Sequence, residues 1–410
     1  MIAAIVHKKQ KFYKEILKHL FFNKQLSCAE LSERIKKSIP LTTQYLNELI
    51  SLNIVVEKGL AVSTGGRRPQ TYSIKEDAFF VIGVAMDQLV IRIALIGPDN
   101  NVIGRIEKIS LDLANTPNAV IDLINHLKDF IKKAMIPVSK IAGIGIGMPG
   151  FVDAAKGINH SFLKVESGSL AAKIKEAVNI PVLIDNDSSL IGLAELKWGK
   201  AQNKQNVMVL NLGWGVGLGI IIRGSLFRGN DGFAGEFSHI PLFDNNKLCS
   251  CGKYGCLETE TSLMVVAQKA IKQLQEQETP TLLTELDTAD LEDAAKKIIE
   301  AAQKGDKFSI ELLSEAAYHI GRGVAFLIHI LNPELVVMSG IGSLAGKVWI
   351  APIQQAINEH CIPRLAENTK LEISSLGYNA ELIGAAALVM DNYEKLSSIF
   401  GTRPLTVSIP

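Results

Sequence analysis

One short segment of the chain carries four side chains of the kind that bind zinc. Residues 239–256 read HIPLFDNNKLCSCGKYGC and contain His239, Cys249, Cys251 and Cys256. The whole chain has only five cysteines, and three of them fall within these eighteen positions. Three thiolates and one imidazole fill the four positions of a tetrahedral site. The segment therefore predicts a structural zinc ion, because no position is left open for water or substrate.

The sequence of this segment is also compatible with two structures that hold no metal. Ser250, Gly252 and Gly255 separate the cysteines, and such small residues are also typical of a glycine-rich surface loop with scattered thiols. The second possibility is a local disulfide between two of the cysteines. The agreement between spacing and ligand type favours zinc over both.

The charge of the chain is unevenly divided, although the net charge of its 410 residues is only +1. Residues 1–75 contain thirteen lysines and arginines against five glutamates, which gives +8 and leaves −7 for the rest. A chain of this length holds two or three domains. A small basic domain before a mildly acidic body predicts that the first domain binds a polyanion, and double-stranded DNA is the expected partner.

Membrane insertion is not expected from the sequence. The apolar start, residues 1–6, is too short for a signal peptide or a membrane span, and lysines follow it directly. Low cysteine content and a thiolate-rich metal site both fit a reducing compartment. The sequence therefore predicts a cytoplasmic protein.

The first 76 residues have the pattern of a winged helix-turn-helix domain. Apolar side chains at the helical period over residues 11–22 predict a first helix. Ser27, with Glu30 three residues later, predicts a capping box at the start of a second helix. Ser38 is the expected N-cap of a third helix over residues 39–52.

The third helix and the residues after it supply the expected DNA contacts. Short apolar segments predict a wing with a turn at Lys58 and Gly59, and the GGRRP segment of residues 65–69 suits a narrow minor groove. Polar side chains on the third helix can bond base edges or phosphates. The candidate DNA-binding residues are Ser38, Thr43, Gln44, Asn47, Arg67 and Arg68. A three-helix protein–protein module and, for residues 65–69, a flexible solvated linker remain the alternatives.

From residue 79 onward the pattern changes to two similar sets of strands and helices. The first set comprises predicted strands over residues 79–86, 90–96 and 102–109, a helix over 119–134, and strands over 141–147 and 182–184. The second set comprises strands over 207–212 and 217–223, a long helix over 317–330 and a strand over 335–339. Two meander-plus-helix lobes in series predict an α/β body with a cleft between the lobes.

Several motifs of this body resemble those of the ROK family (repressors, open reading frames and kinases). The similar segments are GMPG at 147–150, DND at 185–187, GEFSH at 235–239 and CSCGKYGCLE at 249–258. The last two in tandem are highly specific, and the resemblance spans nearly the whole chain. It implies a two-lobed actin/hexokinase-like (ribonuclease H-like) body. The head and its GGRRP segment resemble the repressor branch, which includes xylose and N-acetylglucosamine repressors.

The resemblance also implies how the chain is divided into domains. The winged helix-turn-helix domain with its linker is expected over residues 1–76. The first ROK lobe is expected over residues 77–196 together with about 384–400. The second lobe, over residues 197–383, is expected to contain the zinc site.

The resemblance further implies a sugar site with carboxylate and amide side chains. The residues at the sugar-contacting positions of the family are Asn186, Asp187, Glu236, His239 and Glu258. Asp187 stands where the kinases have their general base, and His239 is expected both to bind zinc and to point toward the sugar. Carboxylates and amides pair well with hydroxyl groups. A solvated surface carboxylate would explain any one of these acids taken alone.

The phosphate-binding loops of the ROK kinases are altered in this chain. The kinases have Asp-x-Gly-Gly-Thr where this chain has AMDQL at residues 85–89, so Asp87 is expected to place negative charge where phosphates bind. Their Gly-Thr-Gly loop is replaced by GWG at residues 213–215, where Trp214 is expected to remove a hydroxyl donor and fill the space. Phosphoryl transfer depends on positioning and charge neutralisation, so we expect a sensor without enzymatic activity.

Together these features predict a sugar-responsive transcriptional repressor. The protein is expected to bind operator DNA as a homodimer or as a tetramer of such dimers, with a sugar or sugar phosphate as effector. A ROK-type ATP-dependent sugar kinase with an appended DNA-binding head is the main alternative. A regulator that is captured by a transport component at the membrane is a third hypothesis, for which the sequence offers no motif.

Overall fold

The computed structural model describes residues 2–60, 68–276, 280–283, 286–288 and 290–393, with side chains from residue 9 onward. Contacts divide the chain into two compact units, with boundaries between Asp185 and Asn186 and between Gly384 and Ala385. The first unit holds the N-terminal segment and the C-terminal helix, and the second unit holds the central segment. The head, predicted as a domain of its own, groups with the first unit.

The head consists of three helices and a small sheet. Its elements are α1 (Ile2–Asn23), β1 (Leu26–Ser27), α2 (Cys28–Arg34), α3 (Ile39–Ser51), β2 (Val55–Leu60) and β3 (Gln70–Ile74). Helix α2 begins with the predicted capping box, in which Ser27 accepts a bond from the Glu30 amide and the Glu30 carboxylate accepts from the Ser27 amide. Ser38 precedes α3 as its N-cap but makes no side-chain cap bond.

The predicted turn of the wing at Lys58 and Gly59 is wrong. The three strands are ordered β1-β3-β2, and β2 continues through both residues to Leu60. Glu57 pairs with Tyr72 while Gly59 pairs with Thr71, so one extra residue forms a β-bulge. Gly59 has a φ of +98°, a conformation that glycine adopts without strain. Glycine is favoured at such a φ in turns and in β-bulges alike, so the same residue that predicts a turn also fits the bulge.

The body of the first unit is a five-stranded sheet with helices. Its elements are β4 (Phe80–Met86), β5 (Val90–Ile96), β6 (Val102–Ser110), α4 (Ala119–Ala134), β7 (Ile141–Met148), β8 (Val152–Asp153), β9 (Ile158–Asn159), α5 (Leu170–Val178) and β10 (Val182–Asn186). The strand order is β10-β7-β4-β5-β6, with an antiparallel meander β4-β5-β6 and a parallel β4-β7 pair. Apolar side chains of this sheet and of α4 and α5 form one buried core.

The second unit starts with a helix and contains a second five-stranded sheet. Its first elements are α6 (Asp187–Trp198), β11 (Val207–Leu212), β12 (Val216–Ile222), β13 (Ser225–Phe227), α7 (Glu258–Thr261), α8 (Leu263–Glu276) and α9 (Leu291–Gln303). The later ones are α10 (Lys307–Leu331), β14 (Leu335–Ser339), α11 (Lys347–His360), α12 (Pro363–Ala366), β15 (Lys370–Ile373) and α13 (Ala380–Asp391), the last of which runs into the first unit.

The two sheets share one topology. The second sheet is ordered β13-β12-β11-β14-β15, with an antiparallel meander followed by two parallel strands. Reversed, the order of the first sheet gives the same sequence of a three-strand meander and two later strands. Strands followed by helical crossovers to parallel neighbours define an α/β fold, and the predicted fold class is confirmed.

Helix α1 belongs to the head and also packs on the rest of the first unit. Phe21 is fully buried and stacks on Phe79 just before β4, with ring centroids 6.4 Å apart. Phe79 in turn stacks on Tyr393 beyond α13, at 6.2 Å. The Lys18 ammonium lies 3.1 Å from Asp391 Oδ1 and donates to the Asp391 carbonyl at 2.8 Å. The head is thus joined to the first unit by packing as well as by the chain.

Across the part of the chain that the structure describes, no helix combines the length and the apolar character needed to cross a bilayer.

Candidate metal and sugar sites

The four predicted zinc ligands come together in the second unit. Their ligand atoms all lie within 4.8 Å of one another. Cys249 Sγ is 3.4 Å from His239 Nδ1, and Cys251 Sγ is 3.7 Å from Cys256 Sγ. Tetrahedral zinc with ordinary bond lengths places two sulfurs about 3.8 Å apart and a sulfur and a nitrogen about 3.6 Å apart. The donor set and its spacing therefore fit a zinc ion.

Tight backbone turns bring the cysteines together. The Cys249 amide donates to the Lys253 carbonyl at 2.8 Å, and an isolated bridge pairs Pro241 with Cys256. Gly255 has a φ of +72°, and a Cβ there would lie 1.9 Å from the carbonyl oxygen of Phe243, so only glycine fits. The small residues that separate the cysteines thus allow the ligands to converge.

The alternative of a local disulfide does not match the geometry. All five cysteines are free, and the 3.7 Å between the closest sulfurs far exceeds the bond length of about 2.05 Å. Cys249 and Cys256 are buried while Cys251 is exposed. Burial, followed by the neighbouring thiols, raises the pKa of Cys256 to about 12. A cation among these sulfurs would supply the charge that stabilises their thiolate forms.

His239 lies between the candidate zinc ligands and Glu236, one of the predicted sugar-binding residues. It ends a 3₁₀ turn over Phe237–His239 and turns Nδ1 toward Cys249, while its Nε2 lies 3.7 Å from Glu236 Oε2. Burial raises the pKa of Glu236, and the Glu258 carboxylate adds to this rise while His239 opposes it. Glu236, His239 and Glu258 are therefore close enough to interact electrostatically.

Glu258 is placed by the chain that leaves the cluster. It is the first residue of α7, two residues after Cys256. A Cβ on Gly215 would lie 2.8 Å from Glu258 Oε2, so the carboxylate lies against the turn between β11 and β12. The segment that carries the candidate metal ligands and this turn thus meet at Glu258.

Asn186 and Asp187 lie at the start of α6. The Asn186 Oδ1 atom caps this helix by accepting from the amides of Ser188 and Ser189, at 3.0 and 3.1 Å. Asp187 Oδ1 accepts from the Ser188 amide at 2.7 Å, and Asp187 Oδ2 accepts from Asn211 Nδ2 at 3.1 Å. Both residues are thereby fixed at the junction of β10 and α6.

The two groups of predicted sugar residues border the same hairpin. Gly215 lies against Glu258, and Gly217 lies against Ser188, since a Cβ there would be 1.8 Å from Ser188 Oγ. Asn211, which bonds to Asp187, lies near the end of β11 just before the same turn. The motifs of the sequence do not single out Asn211. The one sequence feature that could have indicated a role for Asn211 is its polar side chain within an otherwise apolar strand.

The β4-β5 turn of the first unit is closed by its own carboxylate. Asp87 Oδ1 accepts from the amides of Leu89 and Val90, both at 2.8 Å, and the Asp87 amide donates to the Val90 carbonyl at 3.0 Å. The carboxylate therefore occupies the amide donors of this turn. An anion at this turn would have to compete with the carboxylate for the amides of Leu89 and Val90, and it would meet a like charge beside them.

Trp214, which replaces the central residue of the kinase Gly-Thr-Gly loop, is placed by the burial of its side chain. The indole is 5% exposed and belongs to the hydrophobic core of the second unit. The backbone around it is held by the Gly213 amide, which donates to the Gly215 carbonyl at 3.0 Å, and by the Leu263 amide, which donates to the Gly213 carbonyl at 2.9 Å. Because the indole is large and mostly apolar, its burial in this core is more favourable than its exposure to solvent.

The predicted DNA-binding residues of α3 differ in exposure. Ser38, Gln44 and Asn47 are exposed, as base or phosphate contacts require. Thr43 is partly buried, and its Oγ1 lies 3.2 Å from the Cys28 Sγ atom at the start of α2. Thr43 therefore also takes part in the packing of α2 against α3.

Of the two arginines predicted to enter the minor groove, the structure describes Arg68. Arg68 is exposed. Arg67, and with it most of the GGRRP segment, lies outside the described residues.

Comparison with known proteins identifies the family of this chain. Residues 81–392 match the sequence profile of the ROK family, and the chain belongs to that family. It is 32% identical to the xylose repressor of Caldicellulosiruptor bescii over 389 residues, which cover 92% of this chain and 94% of that protein. It is 34% identical to the glucokinase of Halalkalibacterium halodurans over 254 residues, which cover 61% of this chain and 77% of that protein.

A solved structure supports the fold across nearly the whole chain. A ROK family transcriptional regulator, described as a homolog of the Escherichia coli MLC protein, superposes with a TM-score of 0.72. The superposition covers 95% of this chain and 97% of the other, at 24% identity. Head and body therefore occur together in a protein of known structure.

Proposed function

We propose that this chain is a sugar-responsive transcriptional repressor, which binds operator DNA through its head and a sugar through its second unit. The observation that carries the proposal is a winged helix-turn-helix joined to a ROK body in one chain. The similarity to the xylose repressor covers 92% of the chain and must include residues of the head, because the ROK match spans only residues 81–392.

Operator DNA would be bound mainly by helix α3. Its exposed Gln44 and Asn47 side chains suit base edges in the major groove, and Ser38 and Thr43 suit phosphates at the start of the helix. Arg67 and Arg68 would enter the minor groove. A homodimer, or a tetramer built from such dimers, would present two heads to a palindromic site.

The effector would be a sugar or a sugar phosphate held by hydroxyl-binding side chains. Asp187 and Glu258 border one hairpin of the second unit, Asn186 directly precedes Asp187, and Glu236 and His239 interact electrostatically near Glu258. Such carboxylates and amides bind hydroxyl groups. Zinc at His239, Cys249, Cys251 and Cys256 would be structural, since a Cys₃His set leaves no open position. It would hold His239 and Glu258 toward the ligand.

A true sugar kinase is the second candidate, because Asp187 stands at the kinase base position and a glucokinase shares 34% identity with this chain. The Asp87 carboxylate in the β4-β5 turn argues against it, since a phosphate at this turn would have to compete with it for the amides of Leu89 and Val90. We therefore propose that the chain has no enzymatic activity.

DNA binding is tested with a labelled duplex from the region upstream of the chain's own gene. Fluorescence anisotropy should show binding that weakens as salt is raised and that exceeds binding to a scrambled duplex. Asn47→Ala should weaken the specific complex roughly tenfold and leave binding to the scrambled duplex nearly unchanged. Equal affinity for both duplexes in the wild-type protein would contradict the proposal.

The sugar and kinase hypotheses are separated by one panel of pentoses, hexoses, amino sugars and their phosphates. A repressor should be stabilised in thermal unfolding by its effector without ATP, and that effector should change DNA affinity. ATP-dependent phosphorylation of a panel sugar that disappears in Asp187→Ala would instead establish the kinase.

A further inference from the structure

We propose that Asn211 is a positioning residue of the sugar site, which holds the Asp187 carboxylate as a fixed acceptor for one ligand hydroxyl. The inference rests on the proposed sugar binding and deepens it. It starts from a polar side chain near the end of β11, inside a strand whose other residues are apolar.

The amide group of Asn211 uses both of its hydrogens within the site. Asn211 Nδ2 donates to Asp187 Oδ2 at 3.1 Å and to Ser188 Oγ at 3.2 Å. Ser188 is buried, and its hydroxyl donates onward to Asp187 Oδ1 at 3.1 Å. The three side chains thus form a closed ring of hydrogen bonds in which both oxygens of Asp187 are held.

The ring also fixes which way the Asn211 amide points. Turned over, the amide would bring its own oxygen against the Asp187 carboxylate, where two acceptors repel each other. The donor side therefore faces Asp187, and Asn211 Oδ1 faces Gly340, where a Cβ would lie only 2.4 Å from it. Gly340 has a φ of +74°, so a side chain is disfavoured there by the backbone as well.

A second glycine leaves room for the hydroxyl of the ring. A Cβ on Gly217 of β12 would lie 1.8 Å from Ser188 Oγ. The Asn211 side chain thus contacts Asp187 and Ser188 of α6, and Gly217 and Gly340 lie beside this ring of hydrogen bonds. Asp187 is the one charged residue among these four, so the ring fixes the orientation of a single carboxylate.

A carboxylate held in this way differs from one free to rotate. Its oxygens keep one orientation before the ligand arrives, so less conformational entropy is lost when a hydroxyl donates to it. Loss of one hydrogen bond to a charged group should weaken the binding of a neutral sugar about tenfold or more.

The contact is tested first without any ligand, by exchanging the two side chains. Asn211→Asp should lower the melting temperature, because two carboxylates then face each other at hydrogen-bond distance. Combining it with Asp187→Asn restores a donor opposite an acceptor, so the double variant should regain most of the lost melting temperature. Asn358→Asp is the matched control and should change little, because Asn358 is an exposed residue of α11 in the same unit and its side-chain oxygen only accepts from Gln354. If the double variant is as unstable as Asn211→Asp, the proposed contact is wrong.

The positioning role is tested in the same full-length proteins by calorimetric titration with D-xylose and with D-glucose. Asn211→Ala should bind the better of the two sugars about tenfold more weakly than the wild type. The double variant should stay defective although it is stable, because the acceptor has moved to residue 211. Wild-type affinity in Asn211→Ala or in the double variant would overturn the role. If the wild type binds neither sugar, the titration uses the member of the panel above that stabilises it. A wild type that binds no member of that panel contradicts the proposed function, and the melting temperatures then still test the contact between Asn211 and Asp187.

Discussion

Two hairpin turns occupy equivalent places in the two units, and they are closed in different ways. One joins β4 to β5 and the other joins β11 to β12, each at the start of a meander with the same strand order. In the first, the Asp87 carboxylate accepts two amides of its own turn. In the second, the backbone closes on itself between Gly213 and Gly215, and Trp214 anchors the turn in the core.

The difference shows that the topology of a sheet and the chemistry of its turns vary independently. Both sheets keep buried strands on both sides of the turn, so packing maintains the fold whichever residues form the turn. The first unit uses its carboxylate to satisfy its own backbone. The second unit has the carboxylates of Asp187 and Glu258 beside its turn. The proposed function therefore requires that sugar binding and phosphate binding be separable properties of one architecture.

Metal removal should have the largest effect and should affect the second unit first. The candidate cluster of the described residues lies there, and so do all three tryptophans of the chain, at 198, 214 and 349. Cys251→Ser should therefore abolish stoichiometric zinc binding and lower the unfolding temperature seen by tryptophan fluorescence by at least about 10 °C. Cys361→Ser is the control, because Cys361 is a cysteine of the same unit outside the cluster. Equal zinc content in both variants would contradict the assignment.

The anchor of the second turn should be the next most sensitive position. Trp214→Ala removes a nearly fully buried indole from the core of the second unit. The free energy of unfolding should fall by about 3–5 kcal/mol. Urea denaturation followed by the remaining two tryptophans measures this loss. A loss below about 1 kcal/mol would mean that the turn is not anchored through its side chain.

The carboxylate of the first turn should matter less for stability. Asp87→Ala leaves the amides of Leu89 and Val90 without their acceptor and should cost about 1–3 kcal/mol. Gln88→Ala in the same turn is the matched control and should stay within about 0.5 kcal/mol of the wild type. Asp87→Gly also probes the lost chemistry, since recovery of ATP-dependent sugar phosphorylation in that variant would show that this carboxylate alone blocks the reaction.

The smallest expected effect lies in the head, where a second carboxylate of the first unit is satisfied internally. Glu48 on α3 accepts from Lys9 at 2.8 Å, from Gln44 at 3.2 Å and from Tyr13. Burial raises the pKa of Glu48, but these hydrogen bonds outweigh it, and the net pKa lies below the usual value. The stabilisation is therefore present above the unfolded pKa and is lost as the pH falls through the lower folded pKa.

Glu48→Gln should accordingly destabilise the protein by about 1 kcal/mol near neutral pH and by less in acid. Chemical denaturation at several pH values, followed by circular dichroism, measures the difference from the wild type. The exposed Glu33→Gln should show no comparable pH dependence. A difference that grows toward acid would contradict the sign of this argument.

Local patterns in the sequence predict much of the framework. The bounds of β5, α4, β11 and β14 agree with the predicted ones, because alternating or periodic apolar residues with clear breakers define such elements locally. The convergence of His239 with Cys249, Cys251 and Cys256 follows from spacing and ligand chemistry. The ROK resemblance also points to Asp187 and Glu258.

Other features depend on neighbours that are distant in sequence. The role of Asn211 requires Ser188 from α6 and the space left by Gly340, more than a hundred residues later. The burial of Trp214 depends on α8 and on the rest of the second core. The preference of Gly59 for positive φ suits a turn and a bulge equally well, and only the pairing with β3 distinguishes them.

The docking of α1 has a consequence for the order in which the protein can be completed on the ribosome. Helix α1 is synthesised before the other described elements, and it packs through Lys18 and Phe21 toward Asp391, Phe79 and Tyr393. Its packing partners are therefore complete only when the last described helix has emerged. At about 5–20 residues per second, that delay is on the order of tens of seconds. A truncated chain that lacks α13 and Tyr393 would therefore lose these packing contacts of α1. The DNA-binding helix α3 would then belong to a head that is less firmly packed on the first unit.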